Sequence, residues 1–135
     1  MTPAVKLSLR LDFTRGRSTQ RLGPGKVELM EHIATLGSLA AAARAMDMSY
    51  KRAWALLAML NAMFDEPVAV TLPGRNQEGS TQLTPFGARV VALYRAAERR
   101  SQQAAAAAIE ELAAAAQPKR VATPARRSLP RRRAA

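Results

Sequence analysis

The fold is decided by residues 37–54, GSLAAAARAMDMSYKRAW. The first half of this stretch is almost entirely alanine, and the second half contains a tyrosine, two cations and the only tryptophan of the chain. Gly37 is typical of a helix end, and Ser38 and Ser49 are typical of N-caps. The stretch therefore predicts a short helix after Ser38, a tight turn, and a second helix from Ser49 to about Phe64.

The alanines have a packing reason, because Ala42 and Ala43 allow the close helix crossing that a helix-turn-helix requires. In the second helix, one sector is apolar and should face the core at about 100° per residue. Its members are Ala53, Leu56, Leu57, Leu60 and Phe64. The opposite face carries one lysine followed by alanines, namely Lys51, Ala55, Ala58 and Ala62.

This outward face suits a helix that enters a DNA major groove, where small residues permit close approach and the first turn reaches base edges. Tyr50, Trp54 and Asn61 lie on one flank and Arg52 lies on the other, where contacts to phosphates or base methyl groups are expected. The alternative for Trp54 is that it packs against neighbouring protein, as tryptophan often does.

The strand signals lie on both sides of these helices. Residues 5–13, VKLSLRLDF, alternate apolar and polar side chains and predict a half-buried strand, and the turn-rich residues 14–25 lead to a helix over about 24–36. Residues 68–72 and 81–84 predict a two-stranded wing around the loop 73–80, PGRNQEGS. The wing loop suits a contact to the DNA backbone or minor groove, although a polar loop can also be merely solvated.

The candidate DNA-binding residues come from these elements. They are Ser38, Ser49, Tyr50, Lys51, Arg52, Trp54 and Ala55 from the helices, and Arg75, Asn76, Gln77 and Ser80 from the wing.

A long helix is predicted from Pro85, which follows the cap candidate Thr84, to about Ala116. At 1.5 Å per residue it would be about 45 Å long, which is more than a small domain covers, so a second copy of the chain is the expected partner. The dimerisation candidates are Val90, Leu93, Tyr94 and Ala97, continued by Ala104, Ala108 and Leu112. The predicted organisation is a DNA-binding domain over 1–84, a dimerisation helix over 85–117 and a disordered basic tail over 118–135.

Composition limits the partners. The net charge of the 135 residues is +11, of which the tail contributes +7, with no acid, and the rest +4. Such a balance favours a polyanion, with nucleic acid ahead of an acidic membrane surface because no amphipathic basic helix or lipidation motif accompanies the charge. Charge alone does not separate DNA from RNA, so the expected partner, double-stranded DNA, follows from the groove-facing helix. There is no cysteine, signal peptide or membrane span, so a soluble, cytoplasmic, nucleoid-associated protein is expected.

Catalysis has no support in the residue pattern. Glu28 and His32 form an i, i+4 pair, which is more often a surface helix pair than a catalytic or metal dyad. No G-x-S-x-G motif is present. We therefore expect a protein that is not an enzyme and has no metal site and no cofactor.

A family resemblance rests on LGPGKVELMEHIATLGSLAAAARAMDMSYKRAWALLAMLNAMF, residues 22–64, followed by LTPFGARVVALY, residues 83–94. From about Leu7 to Ala97 the chain resembles the N-terminal winged helix-turn-helix domain of the ModE regulators, which respond to molybdate and are related to LysR-type DNA-binding domains. The resemblance implies a winged helix that dimerises through its N-terminal strand region and long C-terminal helix. It also implies that Ser49, Tyr50, Lys51 and Arg52 open the recognition helix.

Two features depart from that family. Its wing is usually rich in glycine, whereas GRNQEGS has two glycines. Full-length members also continue into a domain that binds molybdate, whereas this chain continues into a basic tail, so molybdate binding is not expected.

The sequence thus predicts a mainly α protein, a winged helix-turn-helix with an N-terminal strand, a two-stranded wing and a long C-terminal dimerisation helix. The function predicted is that of a homodimeric, sequence-specific transcriptional regulator with a pseudo-palindromic operator. A non-specific architectural nucleoid protein is the main alternative, and the two differ in the specificity ratio at fixed salt. A dimeric adaptor that holds another protein through its long helix is a third hypothesis.

Overall fold

A computed structural model describes residues 2–73 and 80–116, and these are mainly helical. The elements in chain order are β1 (Leu11–Arg15), β2 (Ser18–Leu22), α1 (Pro24–Leu36), α2 (Leu39–Ala45), α3 (Tyr50–Met63), β3 (Ala69–Leu72), β4 (Ser80–Leu83) and α4 (Pro85–Ala115). The antiparallel pairs are β1 with β2 and β3 with β4. The four helices and the second strand pair begin and end close to the predicted residues.

The N-terminal strand differs from its prediction. Residues 5–10 are not in a strand, and β1 begins only at Leu11, where it pairs with Leu22. The pairing cannot continue beyond Leu22, because Pro24 already starts α1. In place of a strand partner, the carbonyl oxygen of Leu9 accepts a hydrogen bond from the Tyr94 hydroxyl.

The segment read as turn-rich contains β2, which the sequence prediction missed. Gly16 has φ 59° and, with Arg17, forms the two-residue turn between Arg15 and Ser18. The sequence of β2, STQRL, has one large apolar residue, Leu22, so its hydrophobicity does not alternate.

Residues 7–101 form one compact unit, while residues 2–6 and 102–116 belong to a second. The core of the first unit is built by α1, α2 and α3 with β2, β3 and the first turns of α4. Its fully buried large side chains are Tyr94, Leu29, Met30, Ile33, Leu60, Met63, Val27 and Val68. Edge-to-face contacts run from Phe13 to Phe64 and from Phe64 to Phe86, with ring centroids 5.8 and 5.5 Å apart.

The helix ends follow the capping signals of the sequence. Gly37 adopts φ 67° at the end of α1, and Ser38 accepts a hydrogen bond from the backbone N–H of Ala41 at the start of α2. Ser49 accepts one from the N–H of Arg52. The turn between α2 and α3 is closed by the N–H of Met48, which donates to the Ala43 carbonyl. The buried Ala42 and Ala43 lie in the core, consistent with the close crossing expected of them.

The peptide groups of Val68 join three elements. The Asn61 side-chain oxygen of α3 accepts from the N–H of Val68 at 2.7 Å, and the Val68 carbonyl accepts from the N–H of Thr84 at 2.9 Å. Thr84 also caps α4, because its hydroxyl accepts from the N–H of Gly87. A Cβ atom on Gly87 would lie 2.0 Å from the Val68 carbonyl oxygen. Only glycine therefore fits between α4 and this backbone.

An ion pair links α1 to α4 on the surface of the same unit. The Arg95 guanidinium donates to both carboxylate oxygens of Glu31, at 2.9 and 2.7 Å, and to Glu98 at 2.8 Å. The hydrogen bonds from Arg95 lower the pKa of Glu31 against the opposing effect of burial. The same bonds raise the pKa of Arg95.

We expect Gly87→Ala to lower the free energy of unfolding by about 3 kcal/mol, because the added methyl group meets backbone that cannot move without breaking the bonds at Val68. Chemical denaturation measures this loss. Gly25→Ala is the matched control: it also lies in the first turn of a helix behind a proline, and its Cβ would meet nothing within 4 Å. Equal stabilities of the two variants would contradict the close approach.

The Glu31 pair predicts a dependence of stability on pH. Because the pKa of Glu31 is lower in the folded state, the pair stabilises the fold above the ordinary carboxyl pKa of 4.5, and this contribution is lost as the pH falls through the folded-state value. Glu31→Gln should lower the free energy of unfolding by about 1 kcal/mol at neutral pH. It should have no effect at a pH low enough to protonate the Glu31 carboxyl in both the folded and the unfolded chain. Glu28→Gln, on the same helix, is the control variant, and its unfolding is measured in the same way. A loss of stability in Glu31→Gln that is as large in acid as at neutral pH would refute the contribution of the Glu31–Arg95 ion pair.

Candidate nucleic-acid interface

Helix α3 divides its side chains as the sequence predicts. Ala53, Leu57 and Leu60 are buried, and Leu56 and Phe64 pack partly against the core. The outward residues Lys51, Ala55, Ala58 and Ala62 are all exposed. The result is an exposed ridge that is low and apolar along most of its length and carries a cation at its first turn.

Two aromatic side chains stand at the start of this ridge. Tyr50 is 56% exposed and Trp54 is 58% exposed. The alternative that Trp54 is packed away is therefore not what the described part of the chain shows. An exposed indole and an exposed phenol, each with an apolar ring and a polar group, are suited to contacts with a partner.

Asn61 has a structural task that the sequence reasoning missed. Its side-chain oxygen accepts from the N–H groups of Val68 and Ala69, and its amide nitrogen donates to the Ala69 carbonyl at 3.2 Å. These bonds occupy the amide that the sequence assigned to the DNA-facing flank. The available signal was an asparagine followed a few residues later by an apolar strand, where its amide can satisfy the backbone at the start of the strand.

The other candidate residues lie in different surroundings. Ser38 and Ser49 are half-buried and exposed N-caps, so each positions the first turn of its helix. Ser80 begins β4 and pairs with Leu72. Arg75, Asn76 and Gln77 of the predicted wing contact fall outside the described residues, as does the predicted basic tail.

The dimerisation candidates separate into two groups. Val90 and Tyr94 are 7% and 2% exposed and belong to the hydrophobic core of the chain itself. Leu93 is 56% exposed and Ala97 is half-buried. Leu93 borders an apolar depression of about 250 Å³, whose other lining residues are Leu11, Phe13, Leu22, Phe64, Val90 and Tyr94.

Within residues 2–73 and 80–116, no group of three His, Asp or Glu side chains lies close enough together to hold a metal ion. None of the helices there combines the length and apolarity that crossing a bilayer requires.

Comparison with known proteins confirms the family resemblance, although no family model matches the chain. Over 77 residues the chain is 42% identical to the molybdenum transport protein ModE of Azotobacter vinelandii, a match of 57% of this chain and 28% of that protein. It is 38% identical over 82 residues to the molybdenum-pterin-binding protein MopB of Rhodobacter capsulatus, 61% of this chain and 30% of MopB. It is 31% identical over 71 residues to the DNA-binding transcriptional dual regulator ModE of Escherichia coli K12, 53% of this chain and 27% of that regulator.

The chain thus spans less than a third of the length of these relatives. Their names describe transport, binding and regulatory proteins, and none of the three is named as an enzyme.

Proposed function

From its similarity to the ModE regulators, we propose that the chain is a transcriptional regulator that binds double-stranded DNA through a winged helix-turn-helix. In this proposal α2 and α3 form the helix-turn-helix, α3 is the recognition helix, and β3 and β4 form the wing. The observation that carries the proposal is the exposed face of α3, where Tyr50, Lys51 and Trp54 lie near the start of the helix and small side chains follow toward its C-terminal end. A solvated helix face would ordinarily be more highly charged.

The dimensions agree with this assignment. A major groove about 12 Å wide admits an α-helix, and the alanines of the ridge keep the α3 backbone close to the base edges. Ser49 fixes the first turn by accepting from the Arg52 N–H, so the side chains of Tyr50, Lys51 and Arg52 project from a defined helix start. The net charge of +11 supplies the long-range attraction to DNA.

We further propose that the regulator is a homodimer with a pseudo-palindromic operator, assembled through the apolar depression beside Leu93. A leucine that is more than half exposed at the rim of an apolar surface is typical of a contact with another copy. A two-fold axis there would present two α3 helices to half-sites about one DNA turn, or a multiple of it, apart.

The proposed location is the cytoplasm, on the nucleoid. The proposal includes no cofactor, and molybdate binding is not assigned to this chain.

The direct experiment is to sequence the fragments of its own genome that the purified protein retains. A shared pseudo-palindromic motif is the expected result. If the fragments share no motif and the affinity at fixed salt is equal for all sequences, the chain is an architectural DNA-binding protein instead. Failure to retain DNA at all would favour the adaptor hypothesis and overturn the proposal.

Lys51→Ala should weaken binding to the retained motif by about 1–3 kcal/mol if Lys51 contacts a base, and should leave thermal stability unchanged because the side chain is exposed. Quenching of Trp54, the only tryptophan, offers a label-free titration. Arg89→Ala, an exposed cation on α4, is the matched control. Wild-type affinity in Lys51→Ala would remove Lys51 from the interface.

Leu93→Glu should release monomers and weaken operator binding together, because a carboxylate cannot be buried unpaired in an apolar contact. Sedimentation at micromolar protein concentration measures the first effect and operator titration the second. Ala92→Glu adds the same charge at the exposed position that precedes Leu93 on α4, and this variant should remain dimeric. A wild-type protein that sediments as a monomer would disprove the dimer, but it would not contradict DNA binding by a single chain.

A further inference from the structure

A depression rich in cations lies beside the first turns of α3. Its volume is about 260 Å³, and the residues that line it include Arg10, Arg21, Lys26, Arg52 and Leu56. We call this surface the basic depression. It draws its four cations from the segment before β1, the end of β2, the first turn of α1 and the first turn of α3, so the fold collects charges that are far apart in the sequence.

The position of the basic depression on α3 is defined by its neighbours. Arg52 and Asn61 are nine residues apart, which at about 100° per residue places them on opposite flanks of the helix. Asn61 is bonded to the start of β3, whereas Arg52 and Leu56 border the basic depression. The exposed ridge of α3 therefore has the β3–β4 pair on one flank and the basic depression on the other.

Among the residues that the structure describes, the charges in the basic depression are incompletely neutralised. Asp12 lies 3.3 Å from Arg21 and 3.9 Å from Arg10, so one carboxylate serves two guanidinium groups. Lys26 donates to the Arg21 carbonyl at 2.6 Å, and an ammonium group has further protons to donate. Burial and the positive charge of Arg21 lower the pKa of Lys26. An anion placed here would relieve this repulsion.

We propose that the basic depression binds a backbone phosphate of the DNA strand that borders the major groove on the side of α3 away from β3 and β4. An α-helix nearly fills a major groove, so the two phosphate backbones pass along its two flanks. Guanidinium and ammonium groups are the usual ligands of such phosphates, and contacts of this kind fix the orientation of the protein on the duplex. This inference rests on the proposed function and adds a second anchoring surface to it.

The test measures affinity for a short mixed-sequence DNA duplex over a range of salt concentrations. Arg21→Gln and Lys26→Gln, alone and combined, should weaken binding at low salt. The combined variant should reduce the slope of log K against log salt by about 0.9, the value for one phosphate contact. Lys26→Arg keeps a cation in place and should retain the wild-type slope. Arg89→Gln removes an exposed charge elsewhere and should also retain it.

Asp12→Asn provides a change in the opposite direction. It removes the carboxylate that partly neutralises Arg10 and Arg21, and should tighten DNA binding several-fold. Thermal unfolding of every variant reports its stability, and a gain of affinity in Asp12→Asn cannot arise from loss of fold.

The outcomes separate the two proposals. A wild-type protein that binds no duplex overturns both. If the wild type binds DNA but the combined variant has the wild-type slope and Asp12→Asn has the wild-type affinity, only the phosphate contact is overturned. If inorganic phosphate is the ligand instead, it raises the melting temperature of the wild type but not of Lys26→Gln, and the wild type and the combined variant have equal slopes of log K against log salt. This result would also overturn the phosphate contact with DNA, because the basic depression would then bind a free anion.

Discussion

The arrangement of the proposed DNA-binding surface depends on the peptide groups on either side of Val68. The N–H of Val68 is held by the Asn61 side chain of α3, and its carbonyl is held by the N–H of Thr84 at the start of α4. Gly87 is in contact with the same carbonyl, with no space for a β-carbon. Through these contacts α3, β3 and α4 are fixed to one another at a buried point, where an unsatisfied backbone group would cost about 1–3 kcal/mol.

This constraint gives a physical meaning to two parts of the ModE-like sequence. Thr84 caps α4, Gly87 allows the close approach of α4, and Asn61 joins α3 to the strand pair. None of these side chains is needed to contact DNA in the proposed complex. The groups proposed to do so, among them Lys51 and Trp54, are exposed and make no comparable contribution to the core.

The sequence predicted what is decided locally. Helix starts followed from cap residues, and the inward sector of α3 followed from helical periodicity. It did not predict the length of β1 or the existence of β2, because strand pairing ends where Pro24 begins a helix and because STQRL lacks alternation. It also did not predict the basic depression, since its cations are adjacent only after the chain has folded.

The separation of fold-determining and surface residues bears on how a protein with the proposed function can change its operator. Ser49 has both tasks, because its hydroxyl caps α3 while its position lies at the start of the proposed recognition surface. A substitution there would alter the orientation of the first turn as well as the contact, and an N-cap typically contributes about 1 kcal/mol to stability. Lys51 and Ala55 are exposed and have no capping role of this kind. We infer that changes of base preference can occur at these two positions without loss of the fold, while the phosphate contact proposed at the basic depression keeps α3 in the same register on DNA.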